Sequence, residues 1–271
     1  MPLGLDHILA ATRRRVTEVR ALVDLRELER RAERHVPRGF RSKLKTTAQS
    51  GIAVIAELKK ASPSRGLIRA DFHPDKLSQE LEAAGASALS VLTDEEFFQG
   101  SLENLRVASA NTRIPCLRKD FIVDEFQIVE ARANCADAIL LIVAALSQEE
   151  LLRLASHSRQ LGLDVLCEAH DEVELTRALD AGCDLVGINS RDLRTFMVDI
   201  QTAFRLGELI PQNVMSVAES GIHSADDITR LRAAGYQAFL IGESLMKAES
   251  AGDALRDLLQ TANHQRRTTV L

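Results

Sequence analysis

Lysines and glutamates stand where short apolar runs of this chain stop, and together they could move protons. Ile114-Pro115-Cys116 reads as a strand and leads into Leu117-Arg118-Lys119-Asp120-Phe121-Ile122. Side chains alternate along a strand, so Lys119 shares a face with Leu117 and Pro115. An ammonium on an apolar face is costly to keep charged and needs a partner or a task. Lys119 alone would equally fit a solvated strand end. The pattern recurs, however. Glu57 and Lys59 sit two apart at the end of another run, and Glu168, Asn189 (with Arg191 following), Glu219 and Glu243 close or follow four more. Ammonium groups can protonate or stabilise an oxyanion, and carboxylates can accept protons. The set points to general acid–base chemistry.

These residues need a frame that brings the ends of many strands together. Apolar runs occur at Ile52–Glu57, Ser87–Leu92, Ile114–Leu117, Ala138–Val143, Asp164–Cys167, Leu185–Ile188, Val214–Ala218 and Ala238–Ile241. Continuous runs of this kind suit strands covered on both faces. Helical stretches follow them at Pro74–Ala84, Leu102–Ala110, Glu125–Ala133, Ser147–Leu161, Asp171–Ala181, Thr202–Leu209, Ala225–Ala234 and Gly252–Thr261. Gly85, Gly182 and Gly235 stand where a helix should end in the left-handed conformation. Eight strand–helix units in 271 residues predict an α/β fold, a (β/α)8 TIM barrel, whose active site lies at the C-terminal rim of the strands. A doubly wound open sheet is the alternative, but Glu57-Leu58-Lys59 is not the glycine-rich turn expected after its first strand. The whole chain, 1–271, reads as one domain: an N-terminal helical extension (1–50), the barrel (51–262) and a frayed polar tail (263–271). Ile8, Leu9, Val16, Val19, Leu22, Val23 and Leu25 predict one helix from 6 to about 35, capped by Asp6, and a second begins at Phe40. Residues 60–73 form the longest stretch without a regular pattern and suit a lid over the site.

A second signal comes from glycine. Ser220-Gly221 and Gly242-Glu243 place glycine directly after the last two strands, where this fold usually cradles phosphate. A phosphorylated substrate follows, with a sugar derivative the natural choice. There is no Walker loop, GxGxxG, HExxH or His/Cys cluster of metal spacing, so the expected site works without cofactor or metal. The net charge of −5 and pI near 5.9 do not suggest a nucleic-acid surface. No apolar run spans a membrane and no signal peptide is evident, so a cytoplasmic protein is expected. Its partner should be the small phosphorylated substrate, the protein itself being a monomer or weak homo-oligomer. Cys116, Cys135, Cys167 and Cys183 are scattered and read as reduced thiols rather than disulfides or metal ligands.

From about residue 50 to 247 the chain resembles the indole-3-glycerol-phosphate synthases of tryptophan biosynthesis. The resemblance rests on Ile55-Ala56-Glu57-Leu58-Lys59-Lys60-Ala61-Ser62-Pro63-Ser64-Arg65-Gly66, Ser90-Val91-Leu92-Thr93-Asp94 with Phe97-Phe98-Gln99-Gly100, and the Leu117–Ile122 segment. It continues through Glu168-Ala169-His170, Gly187-Ile188-Asn189-Ser190-Arg191-Asp192-Leu193, Ala218-Glu219-Ser220-Gly221-Ile222 and Leu240-Ile241-Gly242-Glu243-Ser244. It implies a lyase that converts 1-(2-carboxyphenylamino)-1-deoxy-D-ribulose 5-phosphate to indole-3-glycerol phosphate, carbon dioxide and water. It also implies roles: Lys119 as general acid, Glu168 as general base, and Lys59 on the substrate's anionic groups with a share in the acid role. Glu57, Asn189 and Glu219 would hold hydroxyls and orient the lysines, and Arg191 would meet the substrate carboxylate. Ser62, Ser220, Gly221, Gly242 and the Glu243 backbone would line the phosphate site, with Phe98 and Phe121 on the aromatic ring.

The chain departs from that family's pattern at Glu125, where proline is usual, at Asn134-Cys135 in place of Ala-Gly, and at Met197, where an acid is usual. None is a rim residue. His170 reads as a loop or helix-cap residue. Two other readings of a phosphate-cradling barrel stay open on the residues: another cofactor-free phosphosugar enzyme, such as a phosphoribosylanthranilate isomerase, and a silent barrel that only binds its ligand. Neither requires Lys59, Lys119 and Glu168 together.

Overall fold

The computed structural model describes residues 4–269, residue 194 apart, with side chains described through His264. The barrel opens with β1 (Ala53–Leu58), after which β2 (Ala61–Ser62) and β3 (Gly66–Leu67) pair as a small antiparallel hairpin. The remaining barrel strands are β4 (Ala88–Leu92), β5 (Cys116–Lys119), β6 (Ala138–Ile142), β7 (Asp164–Ala169), β8 (Leu185–Asn189), β9 (Met215–Glu219) and β10 (Ala238–Ile241). All neighbours are parallel, and β10 pairs back onto β1, closing the eight-stranded (β/α)8 barrel. The stretch 60–73, read above as irregular, thus holds the β2–β3 hairpin.

The helices preceding the barrel are α1 (Leu5–Leu22), α2 (Leu25–Arg34) and α3 (Phe40–Ser50). The outer layer begins with α4 (Pro74–Ala83), the short α5 (Glu95–Phe98), α6 (Leu102–Ala110), α7 (Glu125–Ala133) and α8 (Gln148–Gln160). It ends with α9 (Glu172–Asp180), α10 (Gln201–Gly207), α11 (Ala225–Ala233), the short α12 (Glu243–Lys247) and α13 (Ala251–Thr269). Helix starts are fixed by side chains that satisfy the free first-turn N–H groups: Ser147 with Glu150, Asp124 with Gln127 and Ser224 with Asp227 form reciprocal capping boxes. Gly85, Gly182 and Gly235 take positive φ after α4, α9 and α11, as their positions predict.

Three sequence expectations change. The single helix over 6–35 is two helices, because the Asp24 carboxylate accepts the N–H groups of Arg26 and Glu27 and starts α2 afresh. Asp6 does not cap α1; Gly4 is the N-cap, and Asp6 lies within the first turn. Cys167 and Cys183 are joined by a disulfide, with Cα atoms 6.4 Å apart, rather than being free thiols. They are 16 residues apart in sequence, and pairing of β7 with β8 brings the α9–β8 turn beside Cys167. Cys116 and Cys135 are free. Helix α13 also runs on through residues expected as a frayed tail. No described helix is long and apolar enough to cross a membrane.

The extension runs the height of the barrel. Near the C-terminal rim, Arg15 of α1 pairs with Asp94 (2.9 Å) and Asp120 (3.4 Å), both buried. At the other end α3 buries Phe40 and Leu44 completely, and the Arg41 backbone N–H donates to Asp164 at the start of β7. At that same end Asp137, wholly buried before β6, collects bonds from the whole junction. Its carboxylate accepts the Arg38 backbone N–H (2.7 Å), the Arg38 guanidinium (2.6 Å) and the Cys116 N–H (2.6 Å), with His35 Nε2 at 3.2 Å. Burial works to raise the Asp137 pKa, but the His35 and Arg38 contacts outweigh it and hold the carboxyl below its usual value.

Removing one partner of a buried ion pair leaves the other uncompensated. Asp137→Ala is expected to lower unfolding stability by about 3 kcal/mol, measured by urea denaturation as a lower midpoint at unchanged slope.

Candidate active site

The register of neighbouring strands decides which rim side chains meet. Glu168 on β7 lies level with Gly187 on β8, and Asn189 on β8 lies level with Glu219 on β9. Glu168 and Glu219 therefore face each other across β8, and Gly187 leaves the space between them. A Cβ at Gly187 would come within 2.1 Å of Glu219 Oε1. From β5, Lys119 Nζ donates to Glu168 Oε2 at 2.8 Å and lies 3.7 Å from Glu219 Oε2. On β1, Glu57 accepts a hydrogen bond of 2.6 Å from Lys59 Nζ, as their same-face spacing predicts. Gly242 lies against Glu57, where a Cβ would come within 2.6 Å of Oε1. That glycine is required by packing as well as by any ligand.

All fourteen residues singled out from the sequence line one cavity at the C-terminal end of the barrel. Glu57, Lys59, Lys119, Glu168, Asn189 and Glu219 form its charged floor, and Leu140, Ile142 and Leu240 add apolar wall. Phe98 and Phe121 stand on one side, their ring centres 6.3 Å apart and tilted by 42°. Ser62, Ser220, Gly221, Gly242 and Glu243 line the cavity with Arg191. Ser220 and Gly221 both have positive φ, at 63° and 76°. For serine that is an uncommon conformation, held here at the mouth of the site. Arg191 is positioned by its backbone N–H, which donates to Asn189 Oδ1 at 3.0 Å.

The charges on the floor are coupled. Burial opposes the Lys119 charge, but Glu168, Glu219 and Glu57 outweigh it and hold the ammonium well above its ordinary pKa. Burial would raise Glu168, yet Lys119 and then His170 keep it well below the carboxylate range. Glu219 goes the other way: burial and the Glu168 charge push it up to about 8, only partly offset by Lys119. Lys119 and Glu168 are thus held in their charged forms, and Glu219 is pushed toward its neutral form. Glu219 Oε1, the atom packed against Gly187, is buried without a hydrogen-bond partner.

Several contributors were not singled out in the sequence. Leu5 and Ile8 of α1 line the cavity, so the extension forms part of its wall. Arg65, in the β2–β3 turn, reaches Glu243 at 3.1 Å, while Arg191 reaches the same carboxylate at 3.6 Å and Lys247 at 2.6 Å. Glu243, expected to act through its backbone, thus uses its side chain to tie two arginines across the mouth. His170 is the loop residue its position predicts, but its ring lies against both Glu168 and Glu174. Gly187 carried no sequence signal of its own beyond an interruption of an apolar strand.

Gly187→Ala is expected to displace the Glu219 side chain. The outcome to measure is at least a tenfold fall in turnover, with a stability loss of about 1–3 kcal/mol that leaves the barrel folded by circular dichroism.

Residues 5–258 match the family model described as indole-3-glycerol phosphate synthase. A protein of Koribacter versatilis named indole-3-glycerol phosphate synthase is 60% identical over 259 residues, 96% of this chain and 100% of the relative. One of that name from Acidithiobacillus ferrooxidans is 48% identical over 256 residues, 94% and 97% of the two chains. Among solved structures, thiamine phosphate pyrophosphorylase from Pyrococcus furiosus superposes with a TM-score of 0.60 at 15% identity, covering 79% of this chain and 96% of its own. A mandelate oxidase mutant superposes at 0.59 with 16% identity, covering 89% and 93%. At these identities the structural likeness shows the barrel fold alone.

Proposed function

The chain belongs to the indole-3-glycerol phosphate synthase family, lyases of tryptophan biosynthesis, and from that premise we propose that it closes the indole ring by Lys/Glu general acid–base catalysis. The substrate is 1-(2-carboxyphenylamino)-1-deoxy-D-ribulose 5-phosphate. The observation that carries the reading is the buried Lys119–Glu168 pair at the floor of a cavity with an aromatic side and a serine–glycine rim.

The phosphate sits among Ser62, Ser220, Gly221, Gly242 and the Glu243 backbone, and the aromatic ring packs near Phe98 and Phe121. Arg191 meets the ring carboxylate. The ring carbon bearing that carboxylate attacks the ribulose ketone, and the carbonyl electron pair moves to oxygen. Lys119 stabilises the growing charge and gives up its proton as the alkoxide forms. Even an ammonium held among buried glutamates can do so, because an alkoxide is the stronger base. The carbon–carboxylate bond then breaks, and its electrons restore the aromatic ring as carbon dioxide leaves. In the last step the new hydroxyl departs as water with a proton from Lys59. Glu168 takes the proton from the neighbouring carbon that came from C1 of the ribulose. Glu57, Asn189 and Glu219 hold hydroxyl groups and keep the lysines in place. The carboxylate leaves with the electron demand satisfied by the ring, so these residues suffice without an electron-sink cofactor.

The test is indole fluorescence from purified protein and this substrate with EDTA present. A rising signal is expected. Folded protein that binds the compound without turnover supports a silent binding barrel instead. Lys119→Ala is expected to lower kcat by roughly 10²–10⁴-fold with the barrel still folded by circular dichroism; wild-type turnover in that variant overturns the acid assignment.

A further inference from the structure

The floor of the site holds two carboxylates on either side of one ammonium, and something must decide which keeps a proton. Glu168 and Glu219 both face Lys119, at 2.8 and 3.7 Å. Lys119 favours ionisation of both. The two differ in their other neighbour. Glu168 Oε1 has His170 Nε2 at 3.3 Å, an ion-pair distance without an aligned hydrogen bond, whereas Glu219 Oε1 is buried with no hydrogen-bond partner.

His170 is held where it is. Its Nδ1 lies 2.9 Å from Glu174 Oε2, and the same oxygen accepts the His170 backbone N–H at 2.9 Å. Glu174 is in the first turn of α9, and its own N–H donates to the N-cap Asp171. The imidazole is therefore clamped between a carboxylate on α9 and one on β7, with its side chain 13% exposed. One nitrogen is hydrogen-bonded to Glu174 and the other stands at ion-pair distance from Glu168 without an aligned hydrogen bond, so negative charge on both sides favours the imidazolium form. In keeping with that, although burial disfavours the charge, the contacts with Glu168 and Glu174 push the His170 pKa up to about 10.

We propose that His170 is a positioning residue that keeps the proton of the carboxylate pair on Glu219, by holding an imidazolium against the outer oxygen of Glu168. Glu168 stays ionised and ready to accept a proton, and Glu219 stays neutral and able to donate a hydrogen bond. The groups facing Glu168 are Lys119 from β5, Glu219 from β9 and His170 itself, while Glu57 from β1 acts on Lys119 and Glu219, so His170 is the cation on the side of Glu168 away from Lys119. The inference rests on the reading of Glu168 as the base.

With the imidazolium gone, the doubly ionised pair loses a stabilising charge, and the two carboxylates compete more evenly for the remaining proton. His170→Gln keeps a hydrogen-bond donor without the charge. Carboxyl infrared or 13C spectra of glutamate-labelled free enzyme at pH 6, assigned with Glu219→Gln, locate the proton. In the wild type it belongs to Glu219. In His170→Gln it is expected to be shared with Glu168, and the last proton of the pair is expected to leave roughly one unit higher in pH. At neutral pH kcat should fall about tenfold while KM stays within twofold and the melting temperature is kept. Glu174→Gln, which loosens the clamp, should move both readouts the same way by less. A proton that stays on Glu219 in His170→Gln, with an unshifted titration, overturns the proposal. The spectra need no substrate, so they decide it even if the wild-type protein fails to make indole, a result that would count against the proposed reaction instead.

Discussion

An ammonium removed from water needs acidic groups close by, and Lys119 is set among three, Glu168, Glu219 and Glu57. That constraint organises the rim. Glu168 and Glu219 come from strands that do not touch each other, and both must reach a lysine two strands further round the barrel from the first of them. Only a closed sheet brings them together, and only a residue without a side chain at position 187 lets them meet across β8. The upward push on the Glu219 carboxyl follows from the same crowding, since burial and the neighbouring Glu168 charge both disfavour a second ionised carboxylate in so dry a place.

The extension couples the two ends of this arrangement. Arg15 binds two buried acids beside the cavity, and Arg38 binds a third at the opposite end of the strands. Between those anchors α2 lies along α7, so the segment acts as an external brace rather than an appendage. Since Leu5 and Ile8 also line the cavity, the brace and the site share a wall.

Much of this was legible in the chain because it depends on period and position. Alternation along a strand is enough to put Glu57 and Lys59 on one face and Lys119 on the inside. Counting apolar runs is enough to close the barrel. The parts that escaped depend on neighbours across the sheet. Gly187 matters only because Glu219 stands on the next strand, and the 167–183 disulfide only because β7 pairs with β8. His170 reaches Glu168 because the β7–α9 turn folds its ring back over the rim, which spacing alone does not reveal. The break at Asp24 was of another kind. Asp24 followed by Glu27 is a helix-start pattern, but the apolar period runs through it and masked the new beginning.

Glu243 gives the mouth of the cavity a property beyond shape. Its carboxylate holds Arg65 and Arg191 from two different loops. An entering anion meets arginines already gathered around a negative group, much as an ion exchanger presents its resident counterion. Association is then a swap of one anion for another. Selectivity becomes a comparison between partners, because a group that cannot outcompete one carboxylate leaves the two loops fastened to each other.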